Sequence, residues 1–221
     1  MSEFVCGLDL GQSVDFSVFC AVECHRSAEA PARYVLEGMD RFPLGSAYTD
    51  IAERVASRMR NPPLKGARLV IDAGGPGRPV FDIFQRSEIS AQLVPVTITG
   101  GRQVNATRTG ITVPKGHLVS VLVALFQEGR LEFAKVEGRD TLIAELKAFR
   151  VRQTATGHET FAGERDHDDT VISLALACWY AEAGSCVYPD LSQLQRGPRV
   201  IPGVRGEGAR RNIFGMGAFR P

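Results

Sequence analysis

The chain has 221 residues, with 26 Lys plus Arg against 25 Asp plus Glu and a formal net charge of +1. Hydrophobic residues make 44% and charged ones 23%, the make-up of a globular protein, which excludes a disordered chain, a collagen-like chain and one drawn to nucleic acid by bulk positive charge. A local basic face is not excluded.

The opening MSEFVCGLDLG lacks the basic stretch and long apolar run of a signal peptide. No run approaches the roughly 20 apolar residues of a membrane span. Five cysteines, an odd number, argue against a disulfide framework, so a cytoplasmic protein with no membrane partner is expected. Cys20, Cys24 and His25 lie close together, but no second Cys/His pair stands at finger spacing and no zinc site is expected.

Residues 4–10 and 16–23 are apolar runs separated by Gly11, Gln12 and Ser13, and 34–39 is a weaker third. Three consecutive strands with short connections predict an antiparallel meander. Residues 50–59 read as a helix, with Ile51, Val55 and Met59 on one face and Asn61-Pro62-Pro63 as its stop. Residues 68–72 (RLVID) form a buried-type strand, 74–77 a glycine turn, 79–86 a helix and 92–96 a further strand. Strand–helix–strand order implies parallel pairing through a right-handed crossover. Residues 100–112 are polar, a loop or hairpin. A helix follows over 115–126, with Leu118, Val119, Leu122, Val123 and Phe126 as its stripe, and another over 139–149. Residues 170–183 make the most apolar helix, expected to be packed on both sides or pressed on the sheet, with Trp179 and Tyr180 as core and rim rather than a base-stacking platform. The expected class is α/β: one mixed sheet, an antiparallel meander followed by parallel strands, with helices on both faces.

Composition shifts near the C-terminus, where residues 191–221 hold six Arg, six Gly and three Pro, with Glu207 the only acid. Such a segment buries too little apolar surface to order itself. Residues 1–189 are therefore read as the domain and 190–221 as a basic tail, flexible or docking on a partner through Ile213, Phe214, Met216 and Phe219.

The acids are unevenly spread. Asp9 ends the first strand and points away from the face shared by Leu8 and Leu10. Asp72 ends the RLVID strand, and sites in open sheets lie at the carboxyl ends of strands. Asp166, Asp168 and Asp169 precede the apolar helix. Singly, each has a plain structural use, Asp9 and Asp72 in turns and Asp168 or Asp169 as a helix cap. Together they exceed those needs, and two buried-type strands ending in Asp are costly unless something neutralises them. Mg2+ or Mn2+ is the natural neutraliser. Three or four convergent carboxylates can hold two ions about 3.5–4 Å apart, which suits in-line displacement at phosphorus.

The strand with Asp9, the strand with Asp72 and the segment His167-Asp168-Asp169-Thr170-Val171-Ile172-Ser173-Leu174-Ala175-Leu176-Ala177 resemble the C-terminal nuclease domain of tailed-phage terminase large subunits. The resemblance spans residues 4–183, and its specific motif is the His-Asp-Asp step before an Ala/Leu-rich helix. It implies an RNase H-like fold, related to Holliday-junction resolvases, and an endonuclease that cuts concatemeric viral double-stranded DNA during packaging with two Mg2+ or Mn2+ ions. It implies Asp9 as the bridging carboxylate, Asp72 as a ligand of one ion, and Asp168 and Asp169 as the remaining ligands, without deciding which of that pair is the main one. Many relatives carry a further acid three residues past the pair, where this chain has Ile172. The Gly-x-x-x-x-Gly-Lys-Ser/Thr loop of the packaging ATPase is absent from the chain. An excised domain or a separately encoded nuclease is therefore expected, with a separate packaging ATPase, the portal or procapsid, or the small terminase subunit as partners.

His167 can assist a proton transfer or touch a metal, or only shape its loop, and Asp166 or Glu164 can replace a weaker ligand. Phosphate contacts are expected from Arg102, Arg108 and Lys115 around the acid-free polar stretch, and from Lys147, Arg150 and Arg152. A solvated hairpin is the alternative. Lys115 at a helix start opposes the helix dipole, which favours a functional role. Asp9-Leu10-Gly11-Gln12-Ser13 also resembles the first phosphate-binding turn of actin and sugar-kinase ATPases, which need a second subdomain this chain is too short to hold. A non-catalytic packaging or docking module and a junction-resolvase-like nuclease are the remaining alternatives.

Overall fold

The computed structural model describes residues 2–11, 14–75, 78–107, 110–153, 159–163 and 168–183. The three opening apolar runs become β1 (Ser2–Asp9), β2 (Val18–His25) and β3 (Arg33–Arg41), paired antiparallel in sequence order. After α1 (Tyr48–Met59) the chain builds β4 (Arg68–Asp72), α2 (Arg78–Arg86) and β5 (Gln92–Thr99). Then come β6 (Asn105–Thr107), β7 (Gly110–Pro114), α3 (Lys115–Gln127), β8 (Leu131–Phe133) and α4 (Arg139–Ala148). A separate two-stranded ribbon, β9 (Phe149–Gln153) and β10 (Glu159–Gly163), precedes α5 (Asp169–Ala183).

The main sheet has eight strands in the order β6-β7-β5-β4-β1-β2-β3-β8. Strands β1, β4, β5 and β7 are mutually parallel, so their carboxyl ends share one edge. The period of two divides the side chains between two cores. On one face, Cys6, Leu8, Leu69 and Ile71 pack under α1 and α2. On the other, Val5, Val18, Val70 and Val96 pack under α3, α4 and α5. Helices thus cover both faces, as the element order predicts. The helix α5 is buried from Asp169 to Ala181, with Trp179 and Tyr180 inside the core.

Several expectations need correction. The polar stretch 100–112 is a hairpin, but its second strand, β7, extends to Pro114 and joins the parallel part of the sheet beside β5. In α3 the buried residues are Leu118, Val119, Leu122 and Leu125, while Val123 and Phe126 are 46% and 38% exposed. That helix is apolar on nearly every side, so periodicity alone could not choose the stripe. Phe149 ends no helix; it starts β9. Cys20 and Cys24 are buried in the core, whereas His25 is half-exposed and sits 3.3 Å from Glu23. Among the described residues no helix is long and apolar enough to cross a membrane. The tail at 190–221, Arg108, His158, Glu164, Asp166, His167 and Cys186 lie outside the described residues.

Candidate active site

Sheet geometry brings distant acids to one edge. Because β1 and β4 run parallel with Leu8 level with Ile71, Asp9 and Asp72 leave the sheet side by side. Both project on the α5 face, opposite to Leu8 and Ile71. The approach of α5 depends on Gly7: any Cβ there would collide with the carbonyl oxygen of Ser173 and lie 3.1 Å from Ala177 N. In the gap left by the missing side chain, Ser173 Oγ donates to Gly7 O at 3.0 Å. From Gly7 to Asp9 a strand advances about 6.6 Å. From Ser173 back to Asp169 a helix retreats about 6 Å. The two displacements match, so the first turn of α5 arrives over Asp9.

The helix end is anchored twice. Thr170 donates through its N–H (3.1 Å) and its hydroxyl to Glu145 of α4, which satisfies donors left open at the α5 N-terminus. Asp169 Oδ2 accepts the N–H of Phe16 at 3.1 Å. Gly11 allows that loop to turn back, since a Cβ there would strike Asp15 O, and its N–H donates to Ser17 Oγ at 3.1 Å.

These elements surround an open cleft of about 390 Å³, lined by Asp9, Asp72, Asp168 and Asp169 together with Asp15 and Lys115. Lys115 Nζ meets Asp168 Oδ2 at 2.6 Å. It is the first residue of α3, directly after β7, so the parallel strand β7 delivers its cation to the same edge that β1 and β4 supply with carboxylates. Ile98 and Ile172 close part of the wall.

The cleft is short of positive charge. Burial, then Asp72, Asp169 and Asp168, push the Asp9 carboxyl well above the ordinary range, against the pull of Lys115. Burial raises Asp72 as well, opposed by the N–H groups of Gly74 (2.8 Å) and Ile98 and by Lys115. Asp169 is only 6% exposed, and burial pushes it up to about 6, opposed by the Phe16 N–H and reinforced by Asp15, Glu145 and Asp168. Carboxylates raised by burial and by one another call for a cation.

The donor chemistry fits a hard divalent ion, which takes carboxylate oxygens and keeps part of its water shell. Among the described residues no three His, Cys, Asp or Glu side chains already stand at ligand geometry. The carboxylates are held on protein donors instead: Asp72 on Gly74 N, Asp168 on Lys115, Asp169 on Phe16 N. Backbone donors of this kind orient a carboxylate and are compatible with its ligating a metal, whereas the Lys115 cation competes for Asp168.

Of the residues expected from sequence, Asp9, Asp72, Asp168, Asp169 and Lys115 meet in the cleft. Arg102 and Lys147 are both exposed, and neither lines it. Arg150 and Arg152 lie on β9, where only the backbone is described. Sequence reasoning missed Asp15 in the cleft wall, the Phe16 N–H and the Glu145 cap. Asp15 alone left a local signal, as an acid just past the Gly11-Gln12-Ser13 connection.

No protein-family model matches the chain, and no curated protein matches it in sequence. Solved structures do. The large terminase nuclease from thermophilic phage G20c superposes with a TM-score of 0.57 at 23% identity, over 80% of this chain and 81% of that one. The same nuclease has been solved with bound magnesium. The human cytomegalovirus terminase nuclease domain, soaked with manganese, gives 0.51 at 13% identity over 79% and 81%. The HK97 bacteriophage large terminase gives 0.52 at 13% identity, over 81% of this chain but 39% of that longer one. Eight strands in this order, with helices on both faces and four aspartates at one sheet edge, make this the RNase H-like fold of the large-terminase nuclease domains.

Proposed function

We propose that the chain is a divalent-metal-dependent endodeoxyribonuclease that cuts double-stranded viral DNA during genome packaging. The observation that carries this reading is the convergence of Asp9, Asp72, Asp168 and Asp169 on one cleft from three separate segments of the chain. The likeness to nucleases solved with magnesium or manganese supports the same reading.

In this proposal Asp9, whose carboxyl is pushed well above the ordinary range, would be the carboxylate shared by two Mg2+ or Mn2+ ions. Asp72 would be a ligand of one ion, and Asp168 and Asp169 would supply the remaining ligands. Cations held there would supply a water of lowered pKa and charge neutralisation at the phosphate. The chain's own residues position the rest. Phe16 N–H and Glu145 fix the start of α5, so Asp169 stays oriented. Lys115, paired with Asp168 at the edge of the cleft, would supply a compensating charge beside the phosphate. Ile172 lines the cleft but offers no oxygen, so the second ion would depend on Asp168 and Asp169. Residues 1–189 form the nuclease domain and 190–221 a basic tail that contacts DNA or a packaging partner, such as the portal, the small terminase subunit or a separate ATPase.

Supercoiled plasmid incubated with the protein in EDTA, Mg2+ or Mn2+, beside Asp72→Asn, tests the reading. Nicking and linearisation are expected only with metal. The variant should lose more than the roughly 10–100-fold that removing an outer-shell partner of a metal site costs. A folded wild-type chain that leaves the plasmid intact with either ion overturns the proposal.

A further inference from the structure

The strand register sets one more residue level with the carboxylates. Asp9 of β1 pairs with Val18 of β2, and Val18 pairs with Arg41 of β3. Directly opposed residues share a face. Asp9, Val18 and Arg41 therefore form one row on the α5 side of the sheet. Val18 is buried in the core of that side, and so is Met39, two residues before Arg41 and hence on the same face. Two strand spacings, about 10 Å, separate Arg41 from Asp9 along the row. The neighbouring Asp40 points the other way and binds Arg58 of α1 at 2.6 Å.

Arg41 is exposed, and its guanidinium carbon lies 3.5 Å from the centroid of the Phe16 ring. Phe16 is also the residue whose N–H holds Asp169. One residue thus fixes a carboxylate of the cleft through its backbone and a cation beside the cleft through its ring. Among the described residues Arg41 makes no ion pair, whereas Arg26, Arg33, Arg58, Arg68 and Arg130 all do. Stacking on an aromatic face restrains a guanidinium while leaving its in-plane N–H donors directed outward, the geometry that grips phosphate bidentately. Lys115 stands across the cleft on Asp168. The carboxylates are therefore flanked by a cation on either side.

We propose that Arg41, held on Phe16, binds a backbone phosphate of the DNA a few nucleotides from the one above the carboxylates. The proposal rests on the nuclease reading and adds a contact to it. Such a contact sets the register of the strand in the cleft without reading its sequence.

The test is fluorescence anisotropy of a short labelled duplex with the full chain in Ca2+, with the duplex verified intact, at a series of salt concentrations. Arg41→Gln is expected to weaken binding alike on unrelated sequences. It should also lower the slope of log K against log salt by about 0.9, the loss of one phosphate contact. Arg41→Lys keeps the charge and should restore that slope. Arg33→Gln, at the far end of β3 and paired with Glu132, should change neither quantity. The melting temperature of Arg41→Gln should stay at the wild-type value. An unchanged affinity and slope in Arg41→Gln overturns the contact. Plasmid cleavage read in parallel separates the two ideas: intact metal-dependent cleavage with an unchanged slope sinks the Arg41 contact alone, and a wild-type chain that neither binds nor cuts sinks both.

Discussion

Asp169 shows how much a single residue is asked to do. It begins α5, is nearly buried, accepts the Phe16 N–H and shares the cleft with four other acids. Burial raises its carboxyl to about 6, against about 3.9 for an exposed aspartate. The folded chain therefore binds this proton more tightly than the unfolded chain does. Between about pH 4 and pH 6 the native state carries more protons, so stability must fall as pH rises through that window. Asp9 and Asp72 are shifted in the same direction and add to the trend. Melting temperature against pH in EDTA is expected to decline toward neutrality, and Asp169→Asn is expected to flatten that decline. Mg2+ should reverse the picture. Its ligands must be deprotonated, so stabilisation by the ion should grow as pH rises over the same range. An Asp169→Asn variant with the wild-type pH profile in EDTA would remove Asp169 as the titrating group. The bonds that hold this residue and the adjacent Thr170 explain what was legible. The Asp168-Asp169 step stands out in the sequence because the helix behind it is nearly free of charge. Its partners Phe16 and Glu145 lie 153 residues before Asp169 and 25 before Thr170, and no local pattern marks them.

At the scale of elements, the contact between α5 and β1 decides whether the site exists. Gly7 is the only residue type that lets Ser173 O come so close. Gly7→Ala is expected to push α5 away from the sheet. Overpacking of this kind costs about 1–3 kcal/mol. The larger effect should fall on cleavage, because the same displacement carries Asp168 and Asp169 away from Asp9 and Asp72. A thermal melt and the plasmid assay, measured on one preparation, check both; full cleavage by the alanine variant would show that the close approach is not needed to assemble the site. The elements legible from sequence are those with a strong local signature. The strand Arg68–Asp72 has the expected bounds, because RLVID is a short apolar run closed by an acid and a glycine turn. The three-residue strand β8 was invisible, since it is too short for a period to register. The parallel pairing of β7 with β5 was also out of reach: it depends on where the 105–114 hairpin folds back, and its consequence is that Lys115 lands in the cleft. A lysine at a helix start, against the dipole, was the only local hint of that placement.

Over the whole molecule, the near-neutral charge hides an asymmetry. The segment 190–221 carries six Arg against Asp190 and Glu207. Taking these from the totals of 26 basic and 25 acidic residues leaves 20 and 23 in residues 1–189, a net charge of −3. A domain of that charge, with five aspartates lining its cleft, does not attract a polyanion at long range. In the proposed nuclease reading, its own affinity for DNA would come from short-range contacts such as Arg41 and Lys115 and from cations bound in the cleft. The basic segment, at +4, would then be the source of the long-range, salt-sensitive attraction. A chain ending at residue 189 is accordingly expected to melt like the full chain and to cut plasmid with the same metal requirement at low salt. Its cleavage should fall off at a lower salt concentration than that of the full chain, because the counterions released by the arginines no longer contribute. Plasmid cleavage in Mg2+ across a salt series, with both chains side by side, measures this directly. Coincident salt profiles would assign the arginines to a protein partner rather than to DNA, and a truncated chain without a cooperative melt would move the domain boundary past residue 189.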